Sequence, residues 1–434
     1  MTNRQKSVWR RGNSFVRQTG LRIPRLGAIF WLSIPSAQLL LPVTVRCQDA
    51  IRVSQANQAG AAQARAVDPS LYNVSIGPVG LRFQGQAGTE LNDNVTYSKA
   101  NPQEDLIFRA GLNTAVYWPV TEKQTLLFSV GIGYLKYLKT TQLDRLYITP
   151  DSALAFQMYA GDFTFDVHNR FTINESVTQS PSVSGTGDFS QLRNSLGTGV
   201  DWNLNKLIFS FGYDHEIVAS TSGTFKYADL TSELFILRGG LQLNESTQAG
   251  LEAGGGLTSY DQQVLNDSTH FIVGPFYQAQ ITEYISGKVS GGFVKYSFTR
   301  NGTAADLDDV SGFYADVSLS HRLNQYFTQT LSGGRQFQPG ITANLLDLYS
   351  VRYLANWNVS ENVTLFTPLF YEQGKQLGGV VEKFDRYGTG LSAGYKLTPK
   401  LMARVAYDFL VRISDVRSRE YTQNRLAFDV TYTY

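Results

Sequence analysis

From residue 71 onward a two-residue period runs through unusually long stretches, and this constrains the fold more than any other feature. Leu401, Ala403, Val405, Tyr407, Phe409, Val411 and Ile413 hold odd positions, while Arg404, Asp408 and Arg412 hold even ones. Successive side chains of a β-strand point to opposite faces, so one face of this strand is apolar and the other carries charge. Leu106, Phe108, Ala110, Leu112, Val116 and Trp118 divide in the same way from Asp105, Arg109, Gly111 and Asn113. Strands of a soluble sandwich run to about 5 or 6 residues, whereas these reach the ~9–11 needed to cross a bilayer at a tilt. An open sheet edge in hydrocarbon would leave backbone donors and acceptors unsatisfied, so such strands must close into a barrel.

The runs are joined by a recurring turn. In Pro119-Val120-Thr121-Glu122, Asn203-Leu204-Asn205-Lys206, Gln242-Leu243-Asn244-Glu245, Gln280-Ile281-Thr282-Glu283, Arg322-Leu323-Asn324-Gln325, Asn358-Val359-Ser360-Glu361 and Lys396-Leu397-Thr398-Pro399, an apolar residue precedes Thr, Asn or Ser and then polar residues. Such clusters read as tight turns. They recur roughly every 40 residues after a first interval of about twice that length, which places a further turn at Ala160-Gly161-Asp162. Propeller blades and helical repeats share this period, but propeller strands are shorter and helices would show a 3.6-residue pattern.

Eight such turns pair sixteen strands, and one strand before the stretch 91–104 and one after 414–420 bring the expected number to about 18, with 16 as the neighbouring count. The fold class is therefore all-β, a transmembrane antiparallel up-and-down barrel over residues 71–434. Short turns face the periplasm in such barrels and longer links face outward. Segments 177–190, 220–230, 261–269, 300–308, 340–346, 375–383 and 414–420 are accordingly expected at the cell surface, and both termini of the chain in the periplasm. Barrels of 16 to 18 strands leave an aqueous channel, which points to passive diffusion of small hydrophilic solutes across the bacterial outer membrane.

The N-terminus agrees with export. Arg4, Lys6, Arg10, Arg11, Arg17, Arg22 and Arg25 precede the apolar stretch Leu26 to Leu41, which Pro35 interrupts. A basic region before a short apolar stretch is a secretory signal, and this one is too short for a spanning helix. Residues 1–49 are assigned to it without a fixed cleavage site, and residues 50–70, rich in Ala and Gln, to a flexible periplasmic leader. Cys47 lacks the Leu and small residues that precede a lipidated cysteine, and as the single Cys of the chain it excludes a disulfide framework. With Lys+Arg 38 against Asp+Glu 36 there is no field to attract nucleic acid.

Several residues are candidates for roles in such a barrel. Trp118, Trp202, Trp357 and Tyr395 stand at one register before their turns, as an interfacial aromatic girdle would. Phe428, Val430, Tyr432 and Tyr434 alternate to an aromatic carboxy-terminus, resembling the terminal strand by which the barrel-assembly machinery recognises outer-membrane proteins. Arg109, Arg352, Arg386, Lys396, Arg404, Arg412 and Arg425 share the polar face with Asp105, Asp408 and Asp429, making them candidates to line a pore. Unpaired, these bases would favour anions; paired with carboxylates, they would form a polar wall.

Glu90-Leu91-Asn92-Asp93-Asn94-Val95, followed by Asp105-Leu106-Ile107, resembles the first-hairpin motif of the putative beta-barrel porin 2 family, with Leu91 where the family has an aromatic. The resemblance implies a porin and extends over roughly residues 75–434. Some similar barrels accompany exopolysaccharide secretion, which implies as the alternative a component of an export machine without an open pore of its own. Partners would then be outer-membrane lipid, the assembly machinery, and either a homotrimer or polysaccharide-export proteins. No enzyme is expected and no cofactor or metal. His168, His215, His270 and His321 lack ligand spacing, His168 would need a partner serine to act as in barrel phospholipases, and Asp306, Asp308 and Asp309 read as solvated loop charge.

Overall fold

The computed structural model describes residues 72–173, 177–304 and 306–434. The signal region and leader assigned to residues 1–70 lie outside them. Twenty strand segments form one antiparallel sheet: β1 (Val74–Ile76), β2 (Val79–Asn92), β3 (Asp105–Thr121), β4 (Gln124–Tyr137), β5 (Arg145–Ile148), β6 (Ala153–Ala160), β7 (Phe163–Ile173), β8 (Gln191–Leu204), β9 (Leu207–Ser220), β10 (Leu230–Asn244), β11 (Thr247–Tyr260), β12 (Ser268–Gln280), β13 (Ile285–Phe298), β14 (Val310–Arg322), β15 (Phe327–Pro339), β16 (Ala343–Asn358), β17 (Val363–Gly379), β18 (Glu382–Thr398), β19 (Leu401–Ser414) and β20 (Tyr421–Thr433). β1 only folds back on the start of β2, and β5 and β6 both pair with β4 as two halves of one interrupted stave. The remainder closes as an 18-strand barrel through β2 and β20, from Gln84 opposite Thr433 to Asn92 opposite Arg425.

The repeated Thr/Asn/Ser explains the short turns. Thr282 Oγ1 accepts the amides of Tyr284 and Ile285 at 3.2 and 3.0 Å, and Asn324 Oδ1 those of Tyr326 and Phe327 at 2.8 and 2.9 Å. Ser360 does the same for Val363, Thr398 for Leu401, Asn244 for Ser246 and Thr121 for Lys123. A side-chain oxygen that closes a turn locally fixes where each hairpin reverses, and with it the register. Two turns use positive φ instead, at Asn205 (58°) and Gly161 (62°), the conformation that two-residue hairpin loops favour.

Burial is inverted relative to a water-soluble protein. Val405, Tyr407 and Ile413 are exposed on β19, while Arg404, Ala406, Leu410 and Arg412 are buried. The apolar face points outward and the polar face inward, as lipid requires.

The rim of longer links departs from the expected layout. Segment 375–383 is mostly strand, with only residues 380–381 between β17 and β18, and β16 begins at Ala343, inside the expected loop 340–346. The β14–β15 ladder stops at Ala315–Arg335, yet β15 goes on pairing with β16 up to Pro339–Leu345. Residues 343–348 are buried on both faces. The upper end of the β15–β16 hairpin has therefore left the edge of β14 and is covered on both sides, which explains why Leu345, Leu346 and Leu348 follow no simple alternation.

Candidate functional site

The inner face is an array of cross-strand ion pairs. Arg404 and Asp429 stand opposite each other on β19 and β20 and meet at 2.7 Å, and Asp408 and Arg425 meet at 3.3 Å. Arg109 reaches both Asp429 and Glu90 at 3.3 Å across β2. Gly88 lies between them, and a Cβ there would fall 2.2 Å from Asp429 Oδ1, so the glycine leaves room for this contact. Arg352 and Arg386 share Glu372 at 3.6 and 3.2 Å, and Arg412 and Arg419 share Glu382 at 2.7 and 2.6 Å. Lys396 occupies the same register near the short-turn rim.

The sequence count of seven bases against three acids on this face is therefore incomplete. Glu90, Glu372 and Glu382 join the array, and Arg193–Glu216, Arg238–Glu252 and Arg335–Asp347 form further pairs at 2.6, 2.9 and 2.8 Å. Glu382 was missed because it fell in the expected loop 375–383, although it is the first residue of β18 and fully buried. Asp105 serves the link after β4 rather than the lumen: its carboxylate accepts the amides of Leu138, Lys139 and Thr140 at 3.1, 3.0 and 2.7 Å. Asp93 and Asn94 of the same hairpin motif are also architectural. Asp93 accepts from the Asn424 amide at 2.7 Å, and Asn94 donates to Thr422 O at 2.9 Å, which ties the β2–β3 link to the closing strand.

The opposite wall carries His168. Its Nδ1 lies 3.1 Å from Asp166 and its Nε2 3.0 Å from Asp214, and Ser195 Oγ donates to the same Asp214 at 2.7 Å. The ring is buried between two carboxylates, and Asp214 holds both it and the Ser195 hydroxyl. Asp308 and Asp309 pair with Arg300 and Lys295, each at 3.0 Å, and no cluster of three metal-ligating side chains occurs among the described residues.

The largest departure from the sequence reading is the β7–β8 link. Segment 177–190 was expected at the surface, yet Val177, Val183 and Phe189 are at most 2% exposed. The segment is held inside by wall arginines: Arg386 donates to Thr178 O at 2.7 Å, and Arg412 to Pro181 O. Its apolar residues cluster with Tyr97, Phe225, Leu410 and Tyr421, with Ile341 and Phe370 packed against them. These come from links and strands on both sides of the ring, and they meet only by crossing it. The segment narrows the barrel at the rim of the longer links. Its sequence has no apolar period, and its partners lie some 200 residues away, so local patterning carried no signal for it.

Trp118, Trp202, Trp357 and Tyr395 all lie on the outward face just before short turns, each at least 37% exposed. Phe428, Val430, Tyr432 and Tyr434 share the outward register of β20, where the Tyr434 amide donates to Phe83 O at 3.2 Å and Lys400 lies 5.0 Å from the Tyr434 ring centre.

Comparison with known proteins supplies a family match. The family model described as putative beta-barrel porin 2 matches residues 162–434. The first-hairpin motif lies outside that range. Solved structures of similar shape include Pseudomonas aeruginosa OccK2 (OpdF) in complex with glucuronate, at 10% identity and TM-score 0.47, covering 83% of this chain and 100% of that one. Acinetobacter baumannii OccAB2 is 11% identical with TM-score 0.46 and coverage of 83% and 98%. None of the curated proteins compared matches the chain.

Proposed function

Because the chain belongs to the putative beta-barrel porin 2 family, a family of outer-membrane porins and not of enzymes, we propose that it forms a water-filled passage for small hydrophilic solutes, narrowed by segment 177–190. The observation that carries this reading is the polar, ion-paired inner face inside an apolar outer one. Passive diffusion needs only a wet lumen of fixed width, and a wall whose bases mostly contact carboxylates, several of them shared, offers no deep electrostatic trap to a passing solute. Arg109, Arg352, Arg386, Lys396, Arg404, Asp408, Arg412, Arg425 and Asp429 are the wall groups assigned to the pore. Trp118, Trp202, Trp357 and Tyr395 are assigned to the lipid interface, with Phe428, Val430, Tyr432 and Tyr434 presented to the assembly machinery.

The purified barrel in a planar bilayer tests this proposal. Stable single-channel steps from the protein alone support the porin. Silence in the absence of other proteins would favour the export-machine alternative, in which a partner opens the narrowed rim. A homotrimer belongs to the porin reading, and cross-linking in membranes decides it.

A further inference from the structure

Between the inserted segment and the wall lies a cavity bounded by Ser180 to Ser182, by Gln338 to Ile341 and by the inner faces of β8 to β12. Its lining carries no net formal charge, because Arg193 and Glu216 face it as a pair in contact at 2.6 Å. Ser180 and His270 both border it. Ser180 is 2% exposed and its Oγ has no hydrogen-bond partner, while His270 is 6% exposed and its Nδ1 has none. The His270 ring stacks on Tyr296 with centres 4.7 Å apart, and Gly256 leaves the space it fills: a Cβ there would lie 2.7 Å from Cε1. The imidazole is thus packed between Tyr296 and the space left by Gly256. Buried polar atoms left without partners are costly and rare in folded proteins, and two of them on residues that border one cavity mark a place where a guest can supply the bonds.

Between these polar atoms the cavity presents the apolar side chains of Val218, Leu230 and Ile341. A ligand that fits must offer hydroxyl edges to Ser180 and His270 and C–H surface to the aliphatic groups, and must bring no charge. A carboxylate or ammonium ion would have to compete with the Arg193–Glu216 contact for its compensation. We propose that this cavity is a subsite for an uncharged polyhydroxylated solute, a sugar or polyol, beside the narrowed part of the lumen. It rests on the channel reading and deepens it.

The test uses the folded barrel in a detergent without sugar headgroups, with glucose as the probe and gluconate as its charged counterpart. Binding is read by saturation-transfer NMR and conduction separately in planar bilayers. The proposal expects saturable glucose binding, weakened about three- to tenfold by Ser180→Ala and by His270→Phe, each the loss of one neutral hydrogen bond. Heat-modifiable migration on gels confirms that each variant is folded, and Ser180→Ala changes no strand. Absence of saturable glucose binding, meaning that water alone fills the cavity, overturns the proposal even if the barrel conducts. Preferential binding of gluconate overturns it as well, as does glucose binding that neither variant weakens. Glucose binding in a barrel that never conducts would uphold the subsite and refute the channel.

Discussion

Arg412→Ala should release the segment that narrows the barrel. Arg412 is fully buried, donates to Glu382 at 2.7 Å and to Pro181 O, and lies over the Phe384 ring 3.8 Å from its centre. Glu382 would keep Arg419, Ser414 and Gln376 as partners, so the acid stays compensated, and the contact that the segment itself loses is the one to Pro181 O. A hydrogen bond from a charged donor is worth about 1.5–3 kcal/mol, so the population of the displaced segment should rise by about 10- to 100-fold. Adding Arg386→Ala removes the contact to Thr178 and should compound the effect to about 10²–10⁴-fold. The assay is the rate of maleimide labelling at Ser182→Cys in a Cys47→Ser background, since Ser182 is buried in the closed arrangement and labels only when displaced. Arg404→Ala is the control, because its partner is Asp429 and not the segment. Labelling within twofold of the parent in a folded Arg412→Ala barrel, or equal acceleration by Arg404→Ala, would refute the reasoning.

Three further outcomes follow from the same geometry. Deleting Tyr434, or changing it to Asp, should lower the amount of heat-modifiable barrel in the outer membrane and raise periplasmic degradation; unchanged levels would remove the terminal aromatic from the assembly account. On intact cells an impermeant thiol reagent should modify a cysteine at Asn301 and spare one at Asn244, while one at Ser222 should react slowly, since Ser222 is 5% exposed and bonded to Asp188; the reverse pattern would invert the barrel. Several inner carboxylates are each shared by two bases, so the parent should be weakly anion-selective under a salt gradient and Arg404→Glu with Arg412→Glu should move the reversal potential toward cations. An unshifted potential would mean that these arginines do not face the ion path.

Much of this architecture was legible because lipid enforces it. Alternation, strand length and the Thr/Asn/Ser that closes each turn are local consequences of crossing a bilayer and reversing direction, so Thr121, Asn205 and Thr398 announced hairpins that the structure contains. The rim of longer links and the interior obey no such rule. Val177, Val183 and Phe189 are scattered among Ser, Thr and Gly, as in any solvated loop, and only contacts with residues distant in sequence hold them inside. The charge balance of the inner face is hidden from local sequence in a similar way. Glu382 opens β18 inside the segment 375–383 that reads as a loop, while Glu372 lies mid-strand on β17, and the partners of both are set by the register of the neighbouring strands β16, β18 and β19.

The central claim is that this barrel by itself passes small hydrophilic solutes, and liposome swelling measures that most directly. Vesicles loaded with an impermeant polymer and carrying the purified protein should swell in isosmotic glucose, more slowly in a trisaccharide, and faster in both with Arg386→Ala and Arg412→Ala. Vesicles that do not swell in glucose with either the parent or the released variant would contradict the claim.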